Sequence, residues 1–304
     1  MGATARYAMV AVCAFGCADR GDDHLGARSS AACPSQTVEG VDVYAGDGTV
    51  DWTTLAASGR QFAFIKATQG DYDVQSTLAA DWAGAGSAGI LRSPYHFFDA
   101  TVDGSAQAAA FLAAIGSAGY GSGDLPPLLD IECPTSSVAS QTDPSCEYDG
   151  SSGWVASATL AQRALDWLDA VQQATGRVPI IYSYPDWFAD AGFTDATLAS
   201  YPLFIASYTT CPAVPSPWTT ATFWQYSATA NVPGVGTSAD ADRFIGTSAE
   251  LANMTMPGTV MGPDAGIAPI PQTRIGGCAA STGDGVGGAA IGLVVLARRR
   301  RRAC

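Results

Sequence analysis

Short apolar segments alternate with amphipathic segments along the middle of the chain, from Val38 to about Gly246. Short apolar runs between turn residues predict buried strands, and apolar residues at three- and four-residue spacing predict helices. The predicted strands are Val38–Tyr44, Phe62–Ala67, Leu91–Phe98, Pro127–Cys133, Val178–Tyr184, Leu203–Tyr208, Thr222–Ser227 and Asp240–Ile245. The predicted helices are Trp52–Ser58, Leu78–Ala88, Ser105–Ile115, Val155–Thr175 and a short segment near Asp195–Ser200.

This order of elements predicts an α/β fold. Repeated strand–helix units imply a parallel sheet that is covered on both faces. Eight strands in about 210 residues favour a single TIM-like β/α barrel. No helix is predicted between the last two strands, so we expect helices to be missing from the last third of the barrel. A doubly wound open sheet is the alternative, although no glycine-rich fingerprint follows the first strand.

Composition narrows the class of protein. The chain has 304 residues, of which 47% are hydrophobic and 14% are charged, and this excludes a disordered solvating chain. Between Cys33 and Gly276, 24 acidic residues stand against seven basic ones, which gives this span a charge of −17. Such a body repels phosphate backbones and anionic lipid. We therefore expect no nucleic-acid partner, and membrane contact only through terminal signals.

Histidine is too scarce for several common kinds of site. The only two histidines are His24 and His96, and His24 lies in a polar leader. A site with several histidine ligands is therefore nearly excluded, and a Ser-His-Asp triad would have to use His96. The chain also contains no Cys-x-x-Cys motif. We expect neither a metal nor another cofactor, and we expect chemistry that uses carboxylates.

The N-terminus is typical of an exported protein. Residues 1–17 combine Arg6, a short apolar stretch and small residues before Cys17. Cys17 is a candidate for lipidation, and a plain secretory signal that is cleaved nearby is the alternative. Residues 18–37 form a polar linker ahead of the predicted barrel, which spans residues 38–252.

The C-terminus carries a second candidate signal. Residues 253–277 form a Pro/Gly-rich linker, and residues 278–304 contain Cys278, a short apolar run and five arginines. This order resembles the myxobacterial C-terminal sorting signal, which implies that the tail is processed and that Cys278 is modified. A stop-transfer anchor is the alternative. Both interpretations place the middle of the chain outside the cytoplasm, either secreted or anchored at the cell surface.

Disulfides are compatible with that location. Four cysteines remain in the body once the terminal ones are set aside, and four allow three pairings. A bridge between Cys133 and Cys146 closes a short loop and is the favoured pair. Cys33 and Cys211 would then remain as the second pair.

Carboxylates recur at the predicted strand ends. Asp42 lies late in the first strand, and Asp130 and Glu132 lie on one face at the end of the fourth. Asp240 and Asp242 share the last strand with the same spacing. Barrel enzymes place their sites at the carboxyl ends of strands. Two adjacent carboxyls push their pKa values apart, as glycoside hydrolysis requires, although a solvated strand end explains most isolated pairs of this kind.

A set of motifs resembles the glycoside hydrolase family 25 lysozymes, the N,O-diacetylmuramidases. The motifs occur in family order across the predicted barrel, and their combination is more specific than any one of them. They are Gly40-Val41-Asp42-Val43, Val50-Asp51-Trp52, Phe62-Ala63-Phe64-Ile65-Lys66-Ala67-Thr68, Tyr95-His96-Phe97-Phe98, Leu128-Leu129-Asp130-Ile131-Glu132, Pro179-Ile180-Ile181-Tyr182, Phe223-Trp224-Gln225-Tyr226-Ser227, Val232-Pro233-Gly234 and Asp240-Ala241-Asp242-Arg243-Phe244. Three positions depart from the family pattern, none of them a matched carboxylate: Tyr44, Asp47 and Gln69.

The resemblance implies a function and a set of site residues. It implies hydrolysis of the β-1,4 bond between N-acetylmuramic acid and N-acetylglucosamine in peptidoglycan. Glu132 matches the general acid, and Asp130 matches the carboxylate that orients the substrate's acetamido group, while a direct-water inverting route stays open. Asp42 and Asp240 match carboxylates that tune the centre. The aromatic candidates for sugar binding are Tyr95, Tyr182, Trp224 and Tyr226.

Two further residues of the predicted barrel have expected structural roles. His96 is expected to be a hydrogen-bonded barrel residue, and Lys66 is expected to pair with a nearby carboxylate. A monomer that binds peptidoglycan glycan strands is expected. The alternative functions are a non-catalytic cell-wall-binding surface module and a glycosidase for another N-acetylated glycan such as chitin.

Overall fold

A computed structural model describes residues 33–132, 155–190 and 196–255 of the chain. Its strands are β1 Thr37–Val43, β2 Phe62–Gln69, β3 Asp73–Val74, β4 Leu91–Phe97, β5 Leu128–Asp130, β6 Ile180–Ser183, β7 Leu203–Ala206, β8 Phe223–Val232 and β9 Gly236–Ile245. Its α-helices are α1 Trp52–Ala57, α2 Leu78–Ser87, α3 Gly104–Ala118, α4 Ser157–Thr175, α5 Pro185–Asp190 and α6 Ser248–Asn253. Two short 3₁₀ helices span Ala45–Asp47 and Ala196–Ser200.

The sheet closes into a barrel of eight strands. The strand order is β1-β9-β8-β7-β6-β5-β4-β2-β3, and β1 also pairs with β2, which joins the two ends. The two-residue β3 only extends β2 as an antiparallel partner. The TIM-like barrel expected from the sequence is therefore confirmed, and the open-sheet alternative is wrong.

The last strand departs from the parallel pattern. β9 is antiparallel to both of its neighbours, β8 and β1, whereas the other barrel pairs are parallel. β8 and β9 form a hairpin through Val232–Gly236, and no helix is needed because an antiparallel connection can be short. Within the described residues, no helix lies between β7 and β8 either. Helices are thus missing from the last third of the barrel, as the sequence predicts.

Several element bounds differ from the sequence-based expectation. β5 ends at Asp130 rather than Cys133, and β8 and β9 are longer than expected because their hairpin continues beyond the barrel wall. Two short helices were not expected. α5 begins with Pro185 at its first position, where proline is favoured, and α6 begins with a capping box formed by Thr247 and Glu250.

Alternation along the strands separates two apolar cores. Leu128, Tyr182 and Phe223 face the barrel interior, whereas Leu129 and Ile181 pack outward against the helices. The interior is filled by aromatic rings that pack edge-to-face, tilted or stacked at centroid distances of 4.8 to 5.9 Å. These rings belong to Phe62, Phe64, Phe204, Phe223 and Phe244.

Gly40 makes room for this aromatic interior. A Cβ atom at Gly40 would lie 2.3 Å from the ring of Phe62, so a larger residue would displace the ring. The packed rings close the interior below the carboxyl ends of the strands. The polar side chains of the site therefore gather at these carboxyl ends, above the rings.

The described residues include no helix that is both long and apolar enough to cross a membrane.

Candidate active site

A cavity of about 280 Å³ opens at the carboxyl ends of the barrel strands. Every carboxylate that the sequence analysis assigns to the site lines it, as do two of the four proposed aromatic residues. These are Asp42, Tyr95, Asp130, Glu132, Tyr182 and Asp240. The structure thus brings together residues from β1, β4, β5, β6 and β9, which are up to about 200 positions apart in the chain.

Strand β5 positions the first pair of carboxyls. Leu128 and Asp130 point inward and Leu129 points outward, and Glu132 follows two residues after the strand ends. Burial and the charge of Glu132 raise the pKa of Asp130 well above its usual range, while Lys66 opposes the shift. One oxygen of Asp130, Oδ1, is buried without a hydrogen-bond partner in the described parts of the chain. A buried acceptor without a donor disfavours the ionised form of this carboxyl.

A second group of carboxyls lies on β1 and β9. Burial and the charges of Asp242 and Asp240 raise the pKa of Asp42 well above its usual range. Burial raises the pKa of Asp240 to about 6, although contact with Asp42 opposes the shift. Asp242 is fully buried, and burial followed by the charge of Asp240 raises its pKa as well. Adjacent buried carboxyls cannot all ionise, so this group retains protons at neutral pH.

Lys66 is the cation of the cavity wall. Its ammonium group lies 4.4 Å from the ring centroid of Phe97 and donates a hydrogen bond to Gln69 Oε1 at 3.0 Å. The hydrogen-bond partner of Lys66 is therefore an amide, whereas a carboxylate was predicted from the sequence. Burial lowers the pKa of Lys66, while the charges of Asp130 and Glu132 favour its protonated form. Lys66 places one positive charge beside the β5 carboxyls.

Gln225 on β8 connects both sides of the cavity. Its Oε1 accepts hydrogen bonds from the hydroxyls of Tyr182 at 3.0 Å and Tyr208 at 2.8 Å. These two donors fix the orientation of the amide, whose Nε2 donates to Asp42 Oδ2 at 2.7 Å. Burial raises the pKa of the Tyr182 hydroxyl well above its usual range, so that group remains a donor. Gln225 therefore presents a donor to Asp42.

Two proposed sugar-binding residues lie outside the cavity. Phe223 and Gln225 face the interior of β8, so Trp224 and Tyr226 face outward. Trp224 Nε1 donates to the Ser207 carbonyl at 2.6 Å, and Arg243 lies 4.0 Å from the ring centroid of Tyr226. These aromatic residues cover the barrel wall where a helix is missing. Strand alternation thus separates them from the site.

His96 is a structural residue on the outer face of β4. It is completely buried, and its ring stacks on Trp167 at a centroid distance of 5.4 Å. Gln107 Oε1, which also accepts from the Asp99 amide, lies 3.0 Å from His96 Nε2, so Nε2 carries the proton and Nδ1 accepts from Thr68. Burial lowers the pKa of His96 to about 3. This neutral histidine lies away from the cavity.

A disulfide joins Cys33 to Cys211, across 178 positions of sequence. It ties the segment before β1 to the segment after β7, close to Tyr208 on the cavity wall. Four cysteines with expected roles lie outside the described residues: Cys17, Cys133, Cys146 and Cys278. Of the two expected bridges, the structure thus contains the second.

Three of the four cavity carboxylates, Asp42, Asp130 and Glu132, fall within a segment that matches a known family, and Asp240 lies five residues beyond it. Residues 41–235 match the family model described as "Glycosyl hydrolases family 25". The chain belongs to glycosyl hydrolases family 25. This membership makes the protein a glycosidase, as the carboxylate-lined cavity suggests.

Relatives in family 25 extend the likeness over most of the barrel. Lysozyme M1 of Streptomyces globisporus is 33% identical over 218 residues, which cover 70% of each chain. An N,O-diacetylmuramidase of Arthroderma benhamiae is 31% identical over 199 residues, which cover 64% of this chain and 78% of the relative. The crystal structure of a bacterial lysozyme from Streptomyces coelicolor matches with a TM-score of 0.63 at 30% identity and covers 73% of this chain and 98% of that one.

Three residues of this family 25 site were not assigned from the sequence. Gln225 stood within a quoted motif, and Tyr208 stood at the end of a predicted strand. The alternation of side chains along β8 places Gln225 on the same face as Phe223, and this alternation could have identified Gln225 as an inward residue. Asp242 was noted for its spacing from Asp240, but no role was assigned to it. Tyr208 lies beyond β7, where no periodicity indicates direction.

Proposed function

We propose that this glycosidase is a lysozyme, which hydrolyses the β-1,4 bond between N-acetylmuramic acid and N-acetylglucosamine in peptidoglycan. The observation that carries the proposal is the grouping of Asp130, Glu132, Asp42 and Asp240 around one cavity. Family membership and the lysozymes and muramidase among the relatives support it.

Glu132 is assigned as the general acid. Two adjacent carboxyls do not both ionise readily, because their negative charges repel each other. Asp130 and Glu132 therefore retain one proton between them. The resemblance gives the role of proton donor to Glu132, which lies just beyond the end of β5 and lines the cavity. Glu132 would donate this proton to the glycosidic oxygen as the bond to the anomeric carbon breaks.

Asp130 is assigned to the substrate's acetamido group. Its carboxyl group lines the cavity and would accept the acetamido N–H, which orients the acetamido oxygen toward the anomeric carbon. That oxygen then forms a bond to the anomeric carbon as the leaving group departs, which closes a new ring. Water later attacks the anomeric carbon and opens this ring. In the alternative route, water attacks directly and the configuration inverts.

The other polar residues of the cavity hold and tune this arrangement. Asp42 and Asp240 would place negative charge near the reacting sugar, where positive charge develops in the transition state. Tyr95 and Tyr182 are buried at the wall, and burial raises the pKa of both hydroxyls, so both stay protonated. Their rings would contact sugar faces in the cavity.

The proposal extends to location and domain organisation. An enzyme that acts on peptidoglycan works outside the cytoplasm, in accord with the export signal in residues 1–17. The barrel of residues 38–252 would be carried at the surface or released, according to how residues 278–304 are processed. The enzyme would act as a monomer on glycan strands.

Product analysis tests this function. Purified peptidoglycan and chitin are incubated separately with the protein, and the soluble products are reduced and analysed by mass spectrometry. We expect soluble muropeptides from peptidoglycan and no products from chitin. Release from chitin alone would indicate a different N-acetylated substrate, and binding to peptidoglycan without cleavage would indicate a wall-binding module.

A further inference from the structure

Asp242 lies inside the barrel, beneath the proposed site. It faces inward on β9, two residues from Asp240, and its backbone pairs with Gly40 on β1 and with Gln225 on β8. The side chain is completely inaccessible to solvent. If Asp242 is an ionised carboxylate, neither of its oxygens accepts a hydrogen bond from any of the described residues. An ionised carboxylate is strongly disfavoured in such a place.

The charges around Asp242 are mainly negative. The charges of Asp240 on β9 and Glu39 on β1 raise the pKa of Asp242, whereas the contact with Asp42 and the charge of Arg60, before β2, lower it. Asp42 is also within hydrogen-bonding contact of Asp242. A hydrogen bond between two carboxyl groups requires a proton on one of them. Burial, the largest effect, and the charges of Asp240 and Glu39 outweigh these contributions and disfavour a negative charge on Asp242.

Asp42 differs from Asp242 in having a donor of its own. Gln225 Nε2 donates to Asp42 Oδ2 at 2.7 Å, and the amide is held in that orientation by Tyr182 and Tyr208. Asp42 also reaches the cavity, whereas Asp242 does not line it. Burial and neighbouring charges raise the pKa of both carboxyls, so the pair shares one negative charge. Asp42 is partly exposed and has a donor, whereas Asp242 is inaccessible and has none among the described residues, so the geometry places the charge on Asp42 and the proton on Asp242.

The remaining groups that face Asp42 do not replace this donor. Asp240 and Asp130 are carboxyls whose charges disfavour the ionised form of Asp42. The charge of Asp42 helps to raise the pKa of the Tyr95 hydroxyl, which keeps that hydroxyl protonated. Lys66, on the β2 side of the cavity, is influenced instead by Asp130, Asp73 and Glu132.

We propose that Asp242 is a neutral carboxylic acid that donates its proton to Asp42, and that it is a positioning residue for the proposed glycosidase reaction. Gln225 and Asp242 then supply two donors to Asp42, and both stabilise its negative charge. This inference rests on the proposed function, because the charge of Asp42 matters for turnover only if the cavity is the site of hydrolysis.

Two substitutions separate a proton donor from a space-filling group. Asp242→Val removes the donor, so we expect kcat to fall at least ~10-fold and the acid limb of the kcat profile to rise by about one pH unit, with KM little changed. Asp242→Asn keeps an N–H donor of similar size. It is expected to restore most of kcat and to return the acid limb to the wild-type position.

The same pair of variants can overturn the proposal. If Asp242 were ionised, Asp242→Asn would remove a charge that repels Asp42 and Asp240, and the acid limb would move to lower pH. A wild-type pH profile in Asp242→Val would also contradict a positioning role. The assays use the full chain and solubilised peptidoglycan.

A measurement without turnover decides the protonation state. Aspartate is labelled with ¹³C in the side-chain carboxyl, and the Asp242 resonance is assigned by its loss in Asp242→Asn. We expect a chemical shift typical of a protonated acid at neutral pH, and the shift of an ionised carboxylate would overturn the proposal. A protonated Asp242 in a protein that leaves peptidoglycan intact would refute the proposed function alone. The spectrum also decides the matter if Asp242→Val fails to fold.

Discussion

Gln225 donates a hydrogen bond from Nε2 to Asp42 Oδ2 at 2.7 Å, across the 183 positions that separate the two residues in sequence. The bond joins β8 to β1 over the intervening strand β9. Because Tyr182 and Tyr208 both donate to Gln225 Oε1, the amide cannot turn without losing them. A partly buried carboxylate thus receives a donor of defined direction in a cavity that is mainly acidic.

Gln225→Glu is expected to impair turnover. The substitution keeps the shape and the acceptor for the two tyrosines, but it removes the donor to Asp42 and adds a fourth carboxyl to the group. We expect kcat to fall at least ~10-fold at neutral pH, since a hydrogen bond to a charged group is worth about 1.5–3 kcal/mol. Steady-state kinetics on solubilised peptidoglycan measure it. Tyr208→Phe, which removes one donor to Gln225 and leaves the Asp42 bond, is the matched control and should cost much less.

Glu132→Gln is expected to abolish most of the activity. The amide cannot release a proton to the glycosidic oxygen, and positioned acid catalysis contributes about 10²- to 10⁴-fold. Reducing ends released from peptidoglycan measure the loss, and pull-down with insoluble wall shows whether binding is retained. Asp166→Asn, on helix α4 away from the cavity, is the control for removal of one acidic group. Near-wild-type turnover in Glu132→Gln would refute the assignment of the acid.

Asp240→Asn is expected to stabilise the protein at neutral pH while lowering its activity. The pKa of Asp240 rises from 3.8 to about 6, so between these values the folded state keeps a proton that the unfolded chain releases. Stability contributed by this group is therefore highest at acidic pH and falls as pH rises through 6. Removing the carboxyl should raise the free energy of unfolding by on the order of 2 kcal/mol at pH 7, and by little near pH 4.

Thermal unfolding at both pH values tests this difference. Asp71→Asn, at an exposed position between β2 and β3, is the control and should change neither transition appreciably. An equal shift of Tm at both pH values in Asp240→Asn would mean that the ionisation of Asp240 does not carry the effect.

Loss of the Cys33–Cys211 bridge is expected to destabilise the barrel. The bridge closes a loop of 178 positions, and loops of this size are associated with about 2–5 kcal/mol of stabilisation. The double variant Cys33→Ser/Cys211→Ser should therefore unfold at lower denaturant concentration. Peptide mapping without reduction should recover the linked pair, and it also tests the Cys133–Cys146 bridge predicted from the sequence. Recovery of Cys33 linked to any other cysteine would contradict the structure.

Added salt is expected to raise activity on intact walls. The span from Cys33 to Gly276 carries −17, and peptidoglycan stems are themselves often anionic. Charge therefore repels enzyme from substrate, and screening shortens the range of that repulsion. Wall binding and turbidity loss are measured at increasing sodium chloride concentration. A steep fall in wall binding with salt would show that attraction, not repulsion, governs the encounter.

Strand ends were the part of the site that sequence could predict. Asp42 and Asp130 occupy inward positions near the carboxyl ends of β1 and β5, and an apolar strand that ends in a carboxylate signals such a position. The closed barrel followed from eight short apolar segments. The antiparallel direction of β9 was not predicted, because the number of strands does not specify their direction.

The face of β8 shows where sequence was insufficient. Barrel strands are buried on both sides, so Phe223 and Trp224 are equally apolar and neither marks the interior. Trp224 was therefore assigned to sugar binding, whereas Gln225 faces the cavity. The inward face of β8 becomes clear only from its register with β9, which aligns Gln225 with Asp242.

The most direct test of the central claim is mass spectrometry of reduced fragments from purified peptidoglycan, digested in parallel by the wild-type protein and by Glu132→Gln. Cleavage of the proposed bond leaves N-acetylmuramic acid at every new reducing end. We predict muropeptides with reduced N-acetylmuramic acid from the wild type and almost none from the variant. Fragments that end in reduced N-acetylglucosamine, or equal release by both proteins, would contradict the assignment.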